Sequence, residues 1–575
     1  MSTKKPSSGG SPNSPILNGP YQEPTLHYAT APDGNLDYQD RRPGRRIFAP
    51  ETPQVPLGRQ PQAGMFDLND FAAQYRDHLV NRLRELVGQW RLAGYPGVTS
   101  RVTRELLGYW FDNPQRASWQ QLFFAQREAV ETAIWLNEVA DKSNPGTHLL
   151  AQLRLAQETV DQAAPGNVLP RVAFKMATGT GKTVVMACLI VYHYLNRSQY
   201  RSDPRYSDYF LLVAPGVTIR DRLGVLRVDT RAARDADAAD YYRQRGLVPP
   251  QYAALLAGLN ARIVITNYHA FEPRLIGGNK KSPLDGKLGR DGKKVEAREN
   301  ESLMLKRVLG SFKPGRRLLV INDEAHHCYL PRAKGRDTEE ESSATENERA
   351  AVWFSGVRAV ARRWQVRTVV DLSATPYYLS GSGWPAYSHF PWVVSDFGLI
   401  EAIEAGLVKI PFLPVDDSSQ AIEEPVLRNL YEHCKAELSK KGERTQRKED
   451  KVKGKAQAGY EPPPQLPALL RSALEQFYRH YEAYDRGLRE QGEKGRDLLS
   501  APPVFIVVCS NTRVSKEVYK QIAGYETSDD EGRPYAIKGS LELFSNFDPR
   551  HPRDPPQAAH AADRQRRAGT LRPGR

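Results

Sequence analysis

The stretch 176–183, Met-Ala-Thr-Gly-Thr-Gly-Lys-Thr, decides the fold of this chain. It follows a short apolar run and precedes a helical stretch, so the sequence predicts a loop between a strand and a helix. Gly179 and Gly181 let the backbone approach phosphate groups, and the N–H groups at the start of the helix form an anion site. We predict that Lys182 binds the β- and γ-phosphates of a nucleoside triphosphate and that Thr183 places its hydroxyl on Mg²⁺.

A second motif distinguishes this loop from a simple glycine-rich turn, an alternative that the first motif leaves open because Met176 stands where the general pattern has glycine. The stretch 323–326, Asp-Glu-Ala-His, follows the apolar run 318–321. At the carboxyl end of a strand, Asp323 can meet the metal ion, and Glu324 can orient and deprotonate the attacking water. A salt-bridged pair of carboxylates is the alternative for this motif taken alone.

Short apolar runs alternate with helical stretches through the middle of the chain. Continuous runs rich in β-branched residues indicate strands that are buried on both faces, and therefore a parallel sheet covered by helices. The runs are 172–174, 209–213, 263–265, 318–321 and 368–372. We predict an α/β fold, namely a RecA-like P-loop NTPase domain with a parallel sheet, a helical N-terminal region and an incomplete second RecA-like domain.

Composition divides the chain into segments. The first 65 residues hold eleven prolines and few aliphatic clusters, which is typical of extended or disordered chain. Two polar stretches, 276–302 and 334–350, predict surface insertions or loops. We predict an extended or disordered segment at 1–65, a helical region at 66–114, the RecA-like domain at 115–415, a charged helical linker at 416–500, the start of a second RecA-like domain at 501–548 and a basic disordered tail at 549–575.

Charge and cysteine content restrict the class of protein. The net charge of +14 favours a polyanionic partner such as nucleic acid, although seven arginines against two aspartates in the last 27 residues supply +5 of it. The four cysteines are scattered without a CxxC pair, which is typical of a reduced protein. No run approaches ~18 apolar residues and the N-terminus lacks a secretory signal, so we predict a cytoplasmic protein without membrane contact.

Three motifs in this order resemble motifs I, II and III of superfamily 2 helicases and translocases. The residues are Thr178, Gly179, Thr180, Gly181, Lys182 and Thr183 in motif I, Asp323, Glu324 and His326 in motif II, and Ser373, Ala374 and Thr375 in motif III. Gln126 resembles the glutamine that contacts adenine, and the stretches 214–216 and 265–268 resemble motifs Ia and Ib, which face nucleic acid. With the stretch 397–403, Phe-Gly-Leu-Ile-Glu-Ala-Ile, the likeness extends to the Res subunit of type III restriction enzymes and covers about residues 15–548.

The resemblance implies an ATP hydrolase that uses ATP and Mg²⁺ and acts on duplex DNA, with a modification methyltransferase subunit as a further partner. It implies catalytic roles for Lys182, Asp323 and Glu324, and Mg²⁺ ligation by Thr183 and Asp323. The residues assigned to nucleotide binding are Gln126, Thr178, Gly179, Thr180, Gly181, Lys182, Thr183 and His326. Those assigned to coupling between the nucleotide and the nucleic acid are Ser373, Ala374 and Thr375.

The chain departs from this family after residue 500. Superfamily 2 motors complete the ATP site with arginines from a second RecA-like domain, and only a run at 504–508 and a following helix suggest its beginning here. The nuclease domain of Res subunits leaves no trace in the sequence. We therefore expect a C-terminally truncated homologue that hydrolyses ATP poorly alone. The alternative is a non-catalytic fragment that binds nucleic acid or a partner; a P-loop enzyme acting on small molecules has little support.

Overall fold

The computed structural model divides the chain into two compact units, 1–410 and 411–575, which are described separately. The residues that it describes are 14–31, 36–50, 72–161, 168–228, 240–275, 298–332, 341–410, 429–438, 461–493, 504–528 and 533–547. No helix within these ranges is long and apolar enough to cross a membrane.

A six-stranded parallel sheet forms the centre of the first unit, in the order β5-β4-β6-β7-β3-β8. The strands of this unit are β1 (Leu26–Thr30), β2 (Leu36–Pro43), β3 (Arg171–Met176), β4 (Tyr209–Ala214), β5 (Ile263–Asn267), β6 (Arg317–Asp323), β7 (Gln365–Ser373) and β8 (Val393–Phe397). Strands β3 to β7 contain the five apolar runs, which confirms the predicted parallel α/β sheet. The sequence did not reveal β8, because only two of its five residues, Val393 and Val394, are aliphatic.

Helices cover both faces of this sheet. They are α1 (Leu79–Leu92), α2 (Arg101–Phe111), α3 (Phe124–Glu138), α4 (Asn144–Asp161), α5 (Lys182–Gln199), α6 (Val217–Arg222), α7 (Tyr241–Gln244), α8 (Glu301–Leu309), α9 (Glu341–Arg363) and α10 (Leu399–Glu404). Along β4, Phe210 and Leu212 enter one buried core, whereas Leu211 and Val213 enter the other. Successive side chains of a strand point to opposite faces, so a strand between two cores is apolar along most of its length.

The described parts of the amino-terminal segment, for which the sequence predicts extended or disordered chain at residues 1–65, form regular structure. Its strands β1 and β2 form an antiparallel hairpin, and Tyr28 and Phe48 are buried. Pro20 accepts a hydrogen bond from the backbone N–H of Phe124 at the start of α3 (2.8 Å). We call residues 14–50 the amino-terminal strap, because its described parts, 14–31 and 36–50, pack onto the sheet unit.

Arg45 is the main polar anchor of the amino-terminal strap. Its guanidinium pairs with Glu128 of α3 and with Glu401 of α10 (2.6 Å to Glu401), and it donates to the carbonyl oxygen of Asp396 in β8 (2.8 Å). Arg46 pairs with the buried Glu404 at 3.1 Å. Buried carboxylates require such partners, because an uncompensated buried charge is strongly destabilising.

Both polar stretches end in a helix where the structure describes them, and residues 301–302 of the first stretch begin α8. Residues 276–297 and 333–340 lie outside the described residues, so the loops predicted there are not tested. Residues 341–350, however, form the first part of α9 rather than a loop. The acidic run 339–341 precedes the buried Ala350 and Trp353, and the tertiary contacts of that apolar face outweigh the polar composition at the start of the helix.

The second unit is small in its described part. It contains α11 (Leu430–Cys434), α12 (Ala468–Glu493), α13 (Thr512–Ala523) and an antiparallel pair, β9 (Gly524–Ser528) and β10 (Pro534–Lys538). The helix expected after the run 504–508 is present as α13, but residues 504–509 are not a strand. Val504, Ile506 and Val508 are exposed there, because this segment lacks the hydrogen-bonded neighbours that a buried parallel strand requires. Residues 439–460 and 548–575 lie outside the described residues.

Candidate nucleotide-binding site

The topology of the sheet brings the three sequence motifs to one edge. The phosphate loop follows β3, β6 ends at Asp323, and β7 ends at Ser373. Strand β7 is hydrogen-bonded to both β3 and β6, so the carboxyl ends of the three strands are neighbours. In open α/β sheets this edge is where ligands bind.

The phosphate loop has the backbone conformation that its glycines predict. Gly179 and Gly181 have φ angles of 90° and 87°, a left-handed region that other residues rarely adopt. Thr180 is fully buried, and its hydroxyl donates to the carbonyl oxygen of Ala177 (2.7 Å). Lys182 begins α5, so the loop leads directly into a helix amino terminus. The loop is therefore shaped for an anion by its own backbone.

Gln126 contacts this loop from α3. Its side-chain amide nitrogen donates to the carbonyl oxygen of Thr180 (2.9 Å), and its amide oxygen accepts from the backbone N–H of Phe123 (3.1 Å). A Cβ atom on Gly181 would displace the Gln126 amide from this position, and the φ angle of Gly181 itself favours glycine. The contact between Gln126 and adenine stays a prediction.

Lys182 and Glu324 form an ion pair in this structure. The Nζ atom of Lys182 lies 2.9 Å from Oε1 of Glu324, and both side chains are largely buried. Glu324 has a φ angle of 51°, which is a strained conformation for a residue with a side chain. Such strain is concentrated at functional sites. Since the γ-phosphate of a nucleotide is an alternative anionic partner for Lys182, nucleotide and Glu324 would compete for the same ammonium group.

Asp323 lies beside this pair in a buried position. Burial, and then the charge of Glu324, raise the pKa of Asp323 to about 6, while the ammonium group of Lys182 opposes the rise. A carboxylate and a threonine hydroxyl are hard oxygen donors that suit Mg²⁺. A bound cation would relieve the repulsion between the two neighbouring carboxylates, so the residues present fit the ion. Thr183, the second residue of α5, is half-buried.

The raised pKa of Asp323 predicts a pH dependence of metal binding. Below about pH 6 the carboxyl is protonated, and a proton competes with Mg²⁺, so the apparent affinity for Mg²⁺ should fall by about tenfold for each further pH unit. Calorimetric titration of Mg²⁺ into the ADP-bound protein between roughly pH 5 and 8 would measure this. Asp323→Asn, as the control, should bind weakly at every pH; a wild-type affinity that does not change with pH would contradict the assignment.

His326 links motif II to motif III. Its Nδ1 atom lies 2.9 Å from the Ser373 hydroxyl, which also accepts a hydrogen bond from the backbone N–H of Thr375 (3.0 Å). Burial, and then the neighbouring His327, lower the pKa of His326 to about 4, so the imidazole is neutral at pH 7. A neutral His326 can accept a hydrogen bond from the Ser373 hydroxyl, and this bond joins the loop after β6 to the carboxyl end of β7.

The remaining predicted residues lie around this centre. Thr178, Gly179 and Thr375 are exposed, and Ala374 is half-buried. A set of buried polar residues beneath the site was not predicted from the sequence, namely Arg171, Asn322 and Asp371. The available signal was their polarity, because a charged or amide side chain inside or beside an apolar strand run requires a buried partner.

Comparison with known proteins agrees with this geometry. Residues 122–378 match the family model described as the res subunit of type III restriction enzymes. The match covers less than half of the chain but includes Gln126, the phosphate loop and motifs II and III. Residues 122–378 are therefore similar to this family of helicase-like ATPases, which confirms the resemblance drawn from the three motifs; the stretch 397–403 lies outside the match. No curated protein and no solved structure matches the chain.

Proposed function

We propose that this chain is the ATP-binding core of a DNA-dependent ATPase of helicase or translocase type, comparable to the restriction subunit of a type III restriction–modification system. The observation that carries the proposal is the meeting of Lys182, Asp323, Glu324 and the His326–Ser373 bond at the carboxyl edge of one parallel sheet. These groups match the needs of phosphoryl transfer, in which catalysis is mostly positioning and charge stabilisation.

Each side chain has a distinct task in this proposal. Lys182 leaves Glu324 and binds the β- and γ-phosphates. Thr183 and Asp323 would hold Mg²⁺, which would supply charge neutralisation on the phosphate oxygens. Glu324, once released, accepts a proton from the attacking water. The loop that carries Glu324 is bonded through His326 to Ser373, so a change at the γ-phosphate is passed to the loop after β7.

DNA is proposed as the partner because a basic cleft lies near the segments that resemble motifs Ia and Ib. The cleft has a volume of about 270 Å³ and is lined by Arg220, Asp221, Gly224, Arg227 and Ile265. Arg220 pairs with Asp221 at 2.7 Å, so the net positive charge of the lining corresponds to Arg227. Arginine side chains at such a surface contact phosphate groups, and the release of counterions makes the binding salt-dependent. A modification methyltransferase subunit remains a further proposed partner by likeness to the family alone.

We expect basal hydrolysis by this chain alone to be slow. The family completes its site with arginines from a second motor domain, and such arginines contribute about 10³- to 10⁵-fold in rate in related reactions. Among the described residues after 503, the strands form a two-stranded antiparallel sheet and not a parallel sheet. Rapid turnover by the isolated chain would mean that arginines from elsewhere complete the site.

The experiment that tests the proposed function is ATP hydrolysis with and without duplex DNA. We expect DNA to raise a slow basal rate, and Arg227→Glu to weaken that stimulation because it reverses a charge in the cleft. Arg154→Glu, which changes an exposed arginine on α4 with a side chain 70% exposed, serves as the matched control and should keep the stimulation. A hydrolysis rate that is the same with and without DNA in every variant would favour an enzyme acting on small molecules. DNA binding without nucleotide binding would favour the non-catalytic alternative.

A further inference from the structure

A charged side chain lies in the interior directly beneath the candidate site. Arg171, the first residue of β3, is only 1% exposed and is among the largest fully buried side chains. Its guanidinium donates to Asp371 of β7 through Nε (2.8 Å) and to the carbonyl oxygen of Cys328 (2.6 Å). It also lies over the ring of Trp392, 4.3 Å from its centroid.

The partners of Arg171 belong to a larger network. Asp371 accepts hydrogen bonds from the side-chain amide of Asn322 (2.8 Å) and from the indole N–H of Trp392 (2.9 Å). Asn322 in turn accepts from the indole N–H of Trp353 on α9 (3.0 Å). Asn322 and Asp371 are also register partners in adjacent strands. We call Arg171, Asn322, Asp371, Trp353 and Trp392 the buried network.

The position of the buried network relates it to the motifs. Asn322 immediately precedes Asp323, Asp371 lies two residues before Ser373, and Arg171 opens the strand that leads to the phosphate loop. Arg171 therefore bonds to strand β7 and to the backbone at Cys328, two residues beyond His326. The network forms a second connection between motifs II and III, separate from the bond between His326 and Ser373.

Stability alone does not explain a charged pair in this place. Replacement of a buried ion pair by apolar side chains of similar volume is often neutral or stabilising. In the described part of the chain, Nη1 of Arg171 has no hydrogen-bond partner, and such a group carries a desolvation cost. What an apolar pair cannot provide is the directed hydrogen bond to the Cys328 carbonyl, which fixes the far end of the loop in which Glu324 has its strained left-handed conformation.

We propose that Arg171 is a positioning residue that, through Asp371 and the Cys328 carbonyl, holds the loop 323–328 in the conformation that aims Glu324 at the attacking water. This inference rests on the proposed function. Arg171 itself is one strand length from the phosphate loop and binds neither phosphate nor metal. Its loss should therefore lower the rate of the chemical step and leave nucleotide binding in place.

The test uses the double variant Arg171→Met with Asp371→Asn in the full chain. The double change removes both charges together, leaves no unpaired buried ion, and keeps an amide oxygen as an acceptor for Trp392 or Asn322. We expect kcat to fall by about 10- to 100-fold, with KM and the Kd for ADP nearly unchanged, because displacement of a reacting group by about 1 Å costs that much. Amide hydrogen exchange of residues 324–328 should become faster.

Arg171→Lys and Asp208→Asn complete the design. Lysine keeps the positive charge but has a single nitrogen in place of the planar guanidinium fork that binds Asp371 through two nitrogens. Arg171→Lys should therefore recover part of the rate, and it also serves as the variant if the double one does not fold. Asp208 pairs with Arg262 (3.1 Å) just before β4, at the opposite end of the sheet, so Asp208→Asn should leave kcat and loop exchange unchanged.

Two results separate failure of this inference from failure of the proposed function. A folded double variant with wild-type kcat and wild-type amide hydrogen exchange at residues 324–328 would show that Arg171 contributes only packing. That result would refute the inference. If the wild-type chain bound ADP but did not turn over ATP under any condition, the proposed function would fail instead. The exchange measurement would still test whether Arg171 holds the loop.

Discussion

Replacement of Glu324 by glutamine is expected to stop ATP hydrolysis without weakening ATP binding. A positioned general base contributes about 10²- to 10⁴-fold to a rate, so kcat should fall within that range. Binding should not weaken, and should become tighter, because Glu324 holds Lys182 at 2.9 Å in this structure. Glutamine retains the shape of the side chain but removes the negative charge that competes with the phosphates for Lys182.

Two measurements separate these effects. Single-turnover hydrolysis gives the rate of the chemical step, and equilibrium titration with a fluorescent ATP analogue gives the affinity. Glu105→Gln is the matched control, because Glu105 pairs with Arg101 on α2 and lies outside the motifs. If Glu324→Gln lost affinity in proportion to rate, Glu324 would be needed for binding and the role of general base would be wrong.

Replacement of Lys182 by alanine is expected to weaken nucleotide binding itself, whereas replacement of Glu324 by glutamine leaves binding in place. Hydrogen bonds to charged groups contribute about 1.5–3 kcal/mol, so affinity for ATP should fall by about 10- to 150-fold. ADP should be affected as well, because its β-phosphate loses the same ammonium group. The change also leaves Glu324 without its partner, so the mutant site has an excess of negative charge that repels the triphosphate.

The control for this variant is Lys142→Ala, which removes an exposed lysine that donates to the carbonyl oxygen of Gly97. It should bind ATP and ADP as the wild type does. An unchanged affinity in Lys182→Ala would refute the phosphate-binding role of the loop. Comparison of the two variants is informative, since Glu324→Gln keeps binding without turnover and Lys182→Ala loses both.

The sequence alone was sufficient to predict the strands of the parallel sheet and the residues that meet at the candidate site. Strands between two cores are mostly apolar on both faces, so runs such as 209–213 stand out from the helices around them. The order of the motifs along the chain then places their residues at one edge, because parallel strands share their carboxyl ends. The glycine, lysine and carboxylate positions follow from the chemistry of phosphate and metal.

Other features depend on contacts between distant residues and have no local signal. The pair Lys182–Glu324 joins residues far apart in the chain, and its 2.9 Å distance depends on how the loops after β3 and β6 pack. The same holds for Arg171, whose partners lie on β7 and in the loop after β6. The run 504–508 shows that a local signal can also mislead. Its composition is typical of a strand, but a segment does not form a strand without neighbours to accept its hydrogen bonds.

The amino-terminal strap has a practical consequence for how the gene is read and shortened. Met65 is the first methionine after Met1, and its proline-rich surroundings make it an attractive place to begin a trimmed open reading frame. A polypeptide begun there would keep every motif of the ATPase but would lack Arg45 and Arg46, the guanidinium partners of Glu128, Glu401 and Glu404. Breaking a buried pair of this kind costs about 3–5 kcal/mol, a large part of the 5–15 kcal/mol that typically keeps a protein folded. An insoluble product from such a start would therefore indicate a missing structural element, not a poorly chosen host.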